Sequence, residues 1–582
     1  MFQFVHVFKK LCFTLFLGIL AVSFSGCFYR DFEDTVNQVE SRLERYPISS
    51  DVVTTCEKTI TRIAPSPSET VRPHEISKYA QNGYGKWTYG PGSPREKRID
   101  IMPDGYKAGT ASASLLHFFT MTDVHVTDKE SPAQLIYMTL FNSGIGNFGI
   151  SLYSGIMLYT THVLDAAIQT VNALHRQKPI DFGITLGDVS NSNQYNELRW
   201  YIDIFDGNVI NPDSGAKDDP VPGPYNDYQD AYQAAGLDKT IPWYQVIGNH
   251  DLHWIGSKPV SSYIRQTLIG ENILNVGNVL LPGGLEKRDY YMGTLDGRTL
   301  LGDIYGAGPV ASFSTTPKVA ADPNRRSLSR SEWMGEFFNT SSKPSGHGFS
   351  QANVANGFGC YSFEPKSDMP VKVIVLDNTV NETTPGINSN YIYGYGTLDR
   401  ERYDWLVSEL QEGQANNKLM IIAAHIPIGV EPLGSSTGWW TSGYVTDADD
   451  SLLKELHKYP NLMLWISGHR HLNTIKPFKS PDPARPELGF WGVETVSLRE
   501  FPQQFRTFEI VRNSDRTISI LATNVDPAVQ EGSFAATSRS YAVAAGQLYG
   551  LEPEASRNAE LVKQLSPEMQ TKIQNYGTPT AK

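Results

Sequence analysis

One pattern limits the fold of this chain more than any other: short apolar runs recur along it, and each ends in polar or ionisable residues. The runs, each with its polar end, span residues 115–125, 180–188, 240–251, 371–379, 418–427 and 461–471. Uninterrupted apolar runs of this length are typical of strands that are buried on both faces of a sheet. The pattern therefore predicts buried strands that finish in polar side chains.

Helical patterns lie between several of these runs. One helical face is marked by Val163, Leu164, Ala167, Ile168, Val171 and Leu174. Residues 399–413 and 447–458 also have a helical pattern, and both begin with Asp, which is favoured at helix starts. Two further strands, 506–511 and 517–525, are separated by a spacer of hairpin length. Strands that alternate with helices predict a layered α/β fold.

Composition divides the chain into four segments: a signal peptide of the lipoprotein type (1–26), a tether and lead-in (27–111), one large α/β domain (112–525) and a partly helical C-terminal tail (526–582). The lead-in is rich in Pro and Gly, which interrupt regular elements. Within the large domain, residues 206–239 and 255–365 are rich in Gly, Pro, Asn and Asp. We expect these two stretches to be long loop insertions.

The N-terminus has the pattern of an export signal. Lys9 and Lys10 precede an apolar run that ends in Ser25, Gly26 and Cys27. A basic start, an apolar core and small residues before a cleavage site make a secretory signal. A Cys directly after Ser-Gly resembles a bacterial lipobox, which implies cleavage before Cys27 and attachment of a lipid to it. We therefore expect an exported protein, lipid-anchored to the membrane of the bacterial cell envelope, periplasmic or at the surface; an uncleaved N-terminal anchor is the alternative.

Net charge and cysteine content restrict the partners and the scaffold. The chain has 582 residues and a formal net charge of −12. A protein that binds polymeric nucleic acid needs clustered Lys and Arg against the phosphates, so we expect no nucleic-acid polymer as a partner. Four cysteines are too few for a disulfide scaffold. Cys12 lies in the signal, and whether Cys56 pairs with Cys360 stays open.

The polar residues at the strand ends form the main functional signal. In chain order they are Asp123, His125, Asp188, Asn249, His250, Asp251, His425, His469 and His471. Ligand sites of open α/β sheets lie beyond the carboxyl ends of the strands, so these distant residues are expected to converge on one rim. Carboxylates, imidazoles and an amide oxygen suit Mn, Fe or Zn. Two such ions about 3.5 to 4 Å apart serve an in-line displacement at phosphorus.

The ordered set of motifs D-x-H, G-D, G-N-H-D, H and G-H-x-H resembles the calcineurin-like metallophosphoesterase superfamily. The resemblance covers roughly residues 112–525. It implies an α/β fold built as a two-sheet β-sandwich flanked by helices, here with long loop insertions. It also implies a dinuclear metal centre whose hydroxide attacks the phosphorus of a phosphate ester.

Roles for single residues follow from the resemblance. It places Asp123, His125 and His471 on the first metal, Asn249, His425 and His469 on the second, and Asp188 as a bridge between the two. It makes His250 the leaving-group acid, with Asp251 as the acidic partner that orients its imidazole. Arg470, between the two histidines of the last motif, is a candidate contact for a phosphate oxygen, with a solvated Arg as the alternative.

Departures from one subfamily narrow the choice of metals. Purple acid phosphatases have a Gly where this chain has His125 and a Tyr ligand where it has Asn191. A ferric-tyrosinate centre is therefore not expected, and two divalent ions are.

The expected function is metal-dependent hydrolysis of a small phosphorylated substrate, a mono- or diester. The rival reading is a non-catalytic, metal-stabilised envelope binding protein on the same fold. The His250-Asp251 pair argues against that rival, because a binding role would not need an acid.

Overall fold

The structure is a computed structural model of the chain. It describes residues 43–141, 150, 152–215, 229–279, 281, 283–295, 301–380, 394, 396–428, 451–550 and 557–580. The expected signal peptide, Cys27 and the first part of the expected helix 447–458 lie outside the described residues.

The strands are numbered in chain order. They are β1 (Lys58–Arg62), β2 (Trp87–Pro91), β3 (Glu96–Arg98), β4 (Ala111–Met121), β5 (Phe182–Thr185), β6 (Val209–Ile210), β7 (Tyr232–Gln233), β8 (Trp243–Gln245), β9 (Asn275–Val276), β10 (Tyr290–Leu295), β11 (Ile304–Pro309), β12 (Tyr361–Phe363), β13 (Val371–Leu376), β14 (Leu419–Ala424), β15 (Leu462–Ser467), β16 (Thr474–Phe478), β17 (Phe490–Glu494), β18 (Phe505–Asn513), β19 (Ile518–Val525), β20 (Ala559–Lys563) and β21 (Thr578–Pro579). Each of the six apolar runs overlaps one of these strands, so those strand predictions are confirmed.

The α-helices are numbered in the same way. They are α1 (Ile136–Phe141), α2 (Thr160–Gln177), α3 (Tyr195–Asp206), α4 (Ser262–Ile269), α5 (Arg330–Glu336), α6 (Gln351–Asn356), α7 (Arg400–Ala415), α8 (Ser451–Leu456), α9 (Phe534–Leu548) and α10 (Pro567–Ile573). Helix α7 begins as the sequence predicts, because the side chain of Asp399 accepts a hydrogen bond from the backbone N–H of Arg402.

The larger sheet has eight strands. Its path runs β3-β20-β19-β18-β4-β5-β8, and β21 pairs with β4 beside that path. Strands β4, β5 and β8 run parallel to one another, whereas β18 and β19 form the expected antiparallel hairpin. Parallel neighbours have their carboxyl ends at one edge, so β4, β5 and β8 deliver their following loops to the same place.

The smaller sheet has six strands in the order β12-β13-β14-β15-β17-β16. Strands β13, β14, β15 and β17 are parallel. Every residue of β13, β14 and β15 is buried, which confirms that these apolar runs form strands covered on both faces.

The two large sheets share one apolar core. Phe118 of β4 stacks between Phe182 of β5 and Phe508 of β18, and these rings belong to the same buried cluster as Val373 and Leu464 of the smaller sheet. On the other face of the smaller sheet, a second cluster joins its strands to helix α7. The expected α/β class is confirmed as a mixed α/β structure with two large sheets and packed helices.

Residues outside 112–525 also belong to the larger sheet. Strand β3 comes from the expected lead-in and β20 from the expected tail, and they pair with each other at its edge. The tail contains helices α9 and α10 as well. The boundaries at 112 and 525 therefore do not coincide with the edges of this sheet.

The two expected insertions contain short elements of their own. Strands β9, β10 and β11 form a separate three-stranded sheet with an apolar cluster beneath it, and β6 pairs with β7. Within the described part of the chain, no helix is both long enough and apolar enough to cross a bilayer. Cys56 and Cys360 are both free thiols, so they do not pair.

Candidate metal centre

The residues expected at the site come from loops that follow five parallel strands. Three of these strands belong to the larger sheet and two to the smaller: β4 precedes Asp123 and His125, β5 precedes Asp188, β8 precedes Asn249, His250 and Asp251, β14 precedes His425, and β15 precedes His469 and His471. Hydrogen bonds join these loops within the larger sheet, from Asp123 N to Gly187 O at 3.1 Å, and between the sheets, from His469 N to Asp123 Oδ2 at 2.9 Å. The carboxyl ends of the two sheets therefore meet at one rim.

Glycine at position 187 makes the close approach of these loops possible. Its φ is +93°, and a Cβ there would lie 2.6 Å from Gly248 N and 3.0 Å from His425 Nδ1. Any side chain would force the β5 and β8 loops apart.

The first group of ligand atoms consists of Asp123, His125 and His471. Asp123 Oδ1 lies 3.2 Å from His471 Nε2 and 3.8 Å from His125 Nε2. The two imidazole Nε2 atoms are 3.2 Å apart. The other carboxylate oxygen of Asp123 accepts hydrogen bonds from His469 N and Thr122 Oγ1, which fixes the carboxylate in place.

The second group surrounds Asn249. Its Oδ1 lies 3.0 Å from His425 Nε2 and 3.0 Å from His469 Nδ1. Asp188 Oδ2 lies 3.2 Å from His425 Nε2 on this side and 3.8 Å from His125 Nε2 on the other. Asp188 therefore stands between the two groups, where a shared carboxylate is expected.

The backbone at these positions is unusual. Asp123, His125, Asp188, His469 and His471 all have positive φ, from +45° to +81°. A non-glycine residue with positive φ is uncommon, and such strained positions concentrate at functional sites. The surrounding hydrogen bonds and packing hold these side chains in orientations that an ordinary strand end would not give.

The donor set fits divalent metal ions. Asp123 Oδ1 is buried without a hydrogen-bond donor at good geometry, yet imidazole nitrogens of His471, His125 and His425 face it within 4.0 Å. Carboxylate, imidazole and amide oxygen ligands are those that Mn, Fe and Zn accept. Metal ligands have to be deprotonated, and a buried convergence of such atoms is what binding requires.

Two of the imidazoles and the carboxylate of Asp188 are already in the protonation states that coordinate metals. Burial lowers the pKa of His125 to about 3 and that of His469 to about 3, so both imidazoles are neutral at pH 7. Burial alone would raise the pKa of Asp188, but His425 and His250 beside it hold that pKa below its usual range. Burial alone would lower the pKa of His425 and of His471, but Asp188 raises that of His425 to about 9 and Glu500 raises that of His471. These two imidazoles would therefore have to release a proton when a metal ion binds.

His250 lies against the first group. Its Nδ1 is 2.7 Å from the main-chain oxygen of Asn191. Its ring packs edge-on to His125 with centroids 4.5 Å apart. One ring nitrogen of His250 lies within 4.8 Å of ligand atoms of His125 and Asp188. The structure thus brings His250 together with the expected metal ligands.

Asp251 does not orient His250, and that expectation is wrong. Its buried carboxylate accepts hydrogen bonds from the backbone N–H groups of Asp188, Val189, Ser190 and Gly248, at 2.9 to 3.2 Å. Both oxygens are directed at loop backbone, and the carbonyl of Asn191 takes the place expected for Asp251 at the imidazole. Asp251 therefore fixes the backbone that carries Asp188.

Arg470 is held by a carboxylate. Its guanidinium makes two hydrogen bonds to Glu494, at 3.0 and 2.6 Å, and its side chain is 40% exposed. A phosphate contact by Arg470 would compete with this pair, and its substrate role stays a prediction.

Sequence reasoning missed two residues next to the centre. Glu500 Oε2 lies 3.0 Å from His471 Nδ1, and Arg499 donates to Asn191 Oδ1 at 3.0 Å. They follow β17, an apolar strand that ends in polar residues like the others. An apolar run followed by polar residues is therefore visible in the sequence here too, but Arg499 and Glu500 belong to no recognised motif.

Comparisons with known proteins give similarities of structure only. No protein-family model matches the chain, and no curated protein matches it by sequence. A dimetal phosphatase from Danio rerio is similar over 72% of this chain and 98% of its own, with 12% identity and a TM-score of 0.36. GAP50, the anchor in the inner membrane complex of Plasmodium, is similar over 74% and 95%, with 12% identity and a TM-score of 0.26. With TM-scores this low, function has to be read from the side chains of the site.

Proposed function

We propose that this protein is a metal-dependent phosphoesterase that hydrolyses a phosphate mono- or diester. One observation carries the proposal: ligand atoms from both sheets form two groups, with Asp188 between them. A single ion would need only one group, whereas a pair of ions with a shared carboxylate needs this arrangement. The order of the motifs, which resembles calcineurin-like metallophosphoesterases, agrees with it.

His425 has a hydrogen-bond partner that orients its ring. His425 Nδ1 donates to Leu186 O at 2.7 Å, which turns Nε2 toward Asp188 and Asn249. Asp123, His125 and His471 would hold the first ion, and Asn249, His425 and His469 the second. When bound, two divalent ions supply a nucleophile at neutral pH and neutralise the charge that develops on the phosphoryl group.

His250 is the residue we assign to protonation of the leaving group. Because its Nδ1 donates to the carbonyl oxygen of Asn191, the proton that it transfers is the one at Nε2. The ring lies against the centre, since one of its nitrogens is within 4.8 Å of ligand atoms of His125 and Asp188. A positioned imidazole acid contributes about 100- to 10,000-fold in such reactions.

Location and substrate class are part of the proposal. The export pattern that ends at Cys27 supports an envelope protein held by a lipid. The net charge of −12 supports a small phosphorylated substrate rather than a nucleic-acid polymer. For the anchor, Cys27→Ser should move the protein from the membrane fraction to the soluble fraction of an expressing bacterium; retention in the membrane would favour an uncleaved N-terminal anchor.

The decisive experiment combines metal content with turnover. The chain from residue 28 is loaded with Mn, Zn or Fe, its bound metal is counted, and hydrolysis of 4-nitrophenyl phosphate and bis(4-nitrophenyl) phosphate is followed. We expect two ions per chain and hydrolysis that a chelator abolishes. Two bound ions without turnover on either ester class would instead establish the metal-stabilised binding protein.

A further inference from the structure

A single loop contacts both the expected metal ligands and the expected acid. Residues 495–504 connect β17 to β18, and the part from 497 to 504 is called here the 497–504 loop. Within it, the neighbouring residues Arg499 and Glu500 are both buried and reach different parts of the centre.

Glu500 acts on the first ligand group. Its Oε2 lies 3.0 Å from His471 Nδ1, while His471 Nε2 lies 3.2 Å from Asp123 Oδ1. A carboxylate that accepts the proton of one ring nitrogen fixes the tautomer and makes the other nitrogen a better ligand. Glu500 therefore aims Nε2 of His471 into the first group.

Arg499 acts on the expected acid through Asn191. Its guanidinium donates to Asn191 Oδ1 at 3.0 Å, and the main-chain oxygen of the same Asn191 accepts from His250 Nδ1 at 2.7 Å. The backbone N–H of Asn191 donates to Val126 O and to Glu197 Oε2 at 3.0 Å each. Arg499 thus fixes the side chain of the residue whose carbonyl orients His250.

The 497–504 loop is itself anchored on both sides. Ser497 Oγ donates to Asp123 O at 2.7 Å, which ties the loop to the end of β4. On the outer side, Gln503 Nε2 donates to Arg499 O at 3.0 Å and to Ser538 Oγ of helix α9 at 3.1 Å. Such anchoring lets two adjacent side chains hold separate targets with little freedom.

We propose that Glu500 and Arg499 are positioning residues with separate tasks, Glu500 for the metal ligand His471 and Arg499 for the leaving-group acid His250. The inference rests on the proposed function and adds that the 497–504 loop positions both a metal ligand and the leaving-group acid. Neither residue touches the reacting atoms; each acts through a neighbour.

Glu500 is tested by metal binding rather than by activity. Calorimetric titration of the metal-free full chain with Mn²⁺ or Zn²⁺ should show one of two binding events weakened about 10- to 100-fold in Glu500→Gln. The other event should change less than about 3-fold, and Glu500→Asp should restore part of the loss. Glu509→Gln is the matched control, because Glu509, on β18, pairs with Lys178 and Ser114 rather than with a residue of the centre.

Arg499 is tested by dependence on the leaving group. With both ions saturating, Arg499→Met should lower kcat about 10-fold for phenyl phosphate but less than about 3-fold for 2,4-dinitrophenyl phosphate, which needs little protonation. Metal affinities should stay unchanged, and Arg499→Lys should recover part of the loss. Arg512→Met, which removes donors to Ile573 O and Gln574 O, is the control.

Metal affinity and leaving-group dependence have to respond to different substitutions. If Arg499→Met weakens a metal site as Glu500→Gln does, or if Glu500→Gln leaves both affinities unchanged, the division of tasks is overturned. If the wild-type protein binds both ions but hydrolyses no ester, the proposed function fails and the role of Arg499 fails with it. The role of Glu500 is then decided by the titration alone.

Discussion

Two loops beside the metal-ligand cluster each bring a buried carboxylate to it, and they use it in opposite ways. In the loop after β8, Asp251 accepts hydrogen bonds from backbone N–H groups, including those of Asp188 and Gly248. In the 497–504 loop, Glu500 reaches the imidazole of His471. One carboxylate holds the backbone of Asp188, and the other contacts the side chain of His471; both residues are expected metal ligands. Asp251 directly follows His250 in the sequence, yet that position does not decide whether a carboxylate contacts an imidazole or holds backbone N–H groups.

The largest effect is expected at Asp188, the residue whose backbone Asp251 holds. Asp188→Asn removes the shared carboxylate, so both metal content and turnover should fall, with kcat down more than about 1,000-fold. Metal analysis and steady-state kinetics check this together. Full activity in this variant would show that Asp188 is not the bridge.

Asp251→Asn should lower the free energy of unfolding more than Glu500→Gln does. It leaves buried backbone donors without acceptors, at about 1 to 3 kcal/mol each, so we expect the free energy of unfolding to drop by about 3 kcal/mol. Glu500→Gln should cost less than about 1 kcal/mol, because the amide oxygen can still accept from His471. Denaturant unfolding of the metal-free variants compares them, and equal losses would remove the distinction between the two loops.

His250→Ala should separate chemistry from metal binding. Without the imidazole acid, kcat should fall about 100-fold, most strongly for esters with poor leaving groups, while both ions remain bound. Metal analysis and a series of aryl esters provide the measurement. Loss of an ion from this variant would instead make His250 a ligand.

A buried amine on β20, outside both loops, gives the smallest effect per pH unit and a baseline. Burial lowers the pKa of Lys563 to about 7, and its Nζ donates to the carbonyl oxygens of Glu487 and Gly489. Between pH 7 and the unfolded value of about 10.4, the unfolded chain binds more protons, so stability should rise with pH. The slope is at most about 1.4 kcal/mol per pH unit. It should disappear in Lys563→Met; the same slope in both proteins would exclude Lys563 as its source.

The strands and the ligand positions could be predicted from the sequence for a physical reason. Strands β13, β14 and β15 are buried on both faces, so their apolar runs are uninterrupted and stand out. The residues after them are polar because they line a rim rather than a core. The grouping of Asp123, His125 and His471 was implied by the motif resemblance rather than by that placement, and their ligand atoms lie together in the structure.

The sequence does not determine the direction in which the side chains of Asp251 and Glu500 point. Asp251 directly follows His250, but a tight loop turns its carboxylate onto the backbone of the neighbouring β5 loop. Glu500 belongs to no motif, and its contact with His471 exists only because β15 and β17 are neighbours in the sheet. Strand β20 was missed since its short sequence, AELVK, is not distinctive outside the sheet that it completes.

The position of β4 in the larger sheet has a consequence for synthesis of the protein. Strand β4 pairs with β18, and the contact of Ser112 with Arg512 joins residues 400 positions apart. At about 5 to 20 residues per second, roughly 20 to 80 seconds separate the synthesis of these two strands. During that interval the apolar edge of β4 has no β18 to pair with, and such an edge invites aggregation. The last expected ligand, His471, is made shortly before β18, so the metal centre cannot be complete until this vulnerable interval is nearly over.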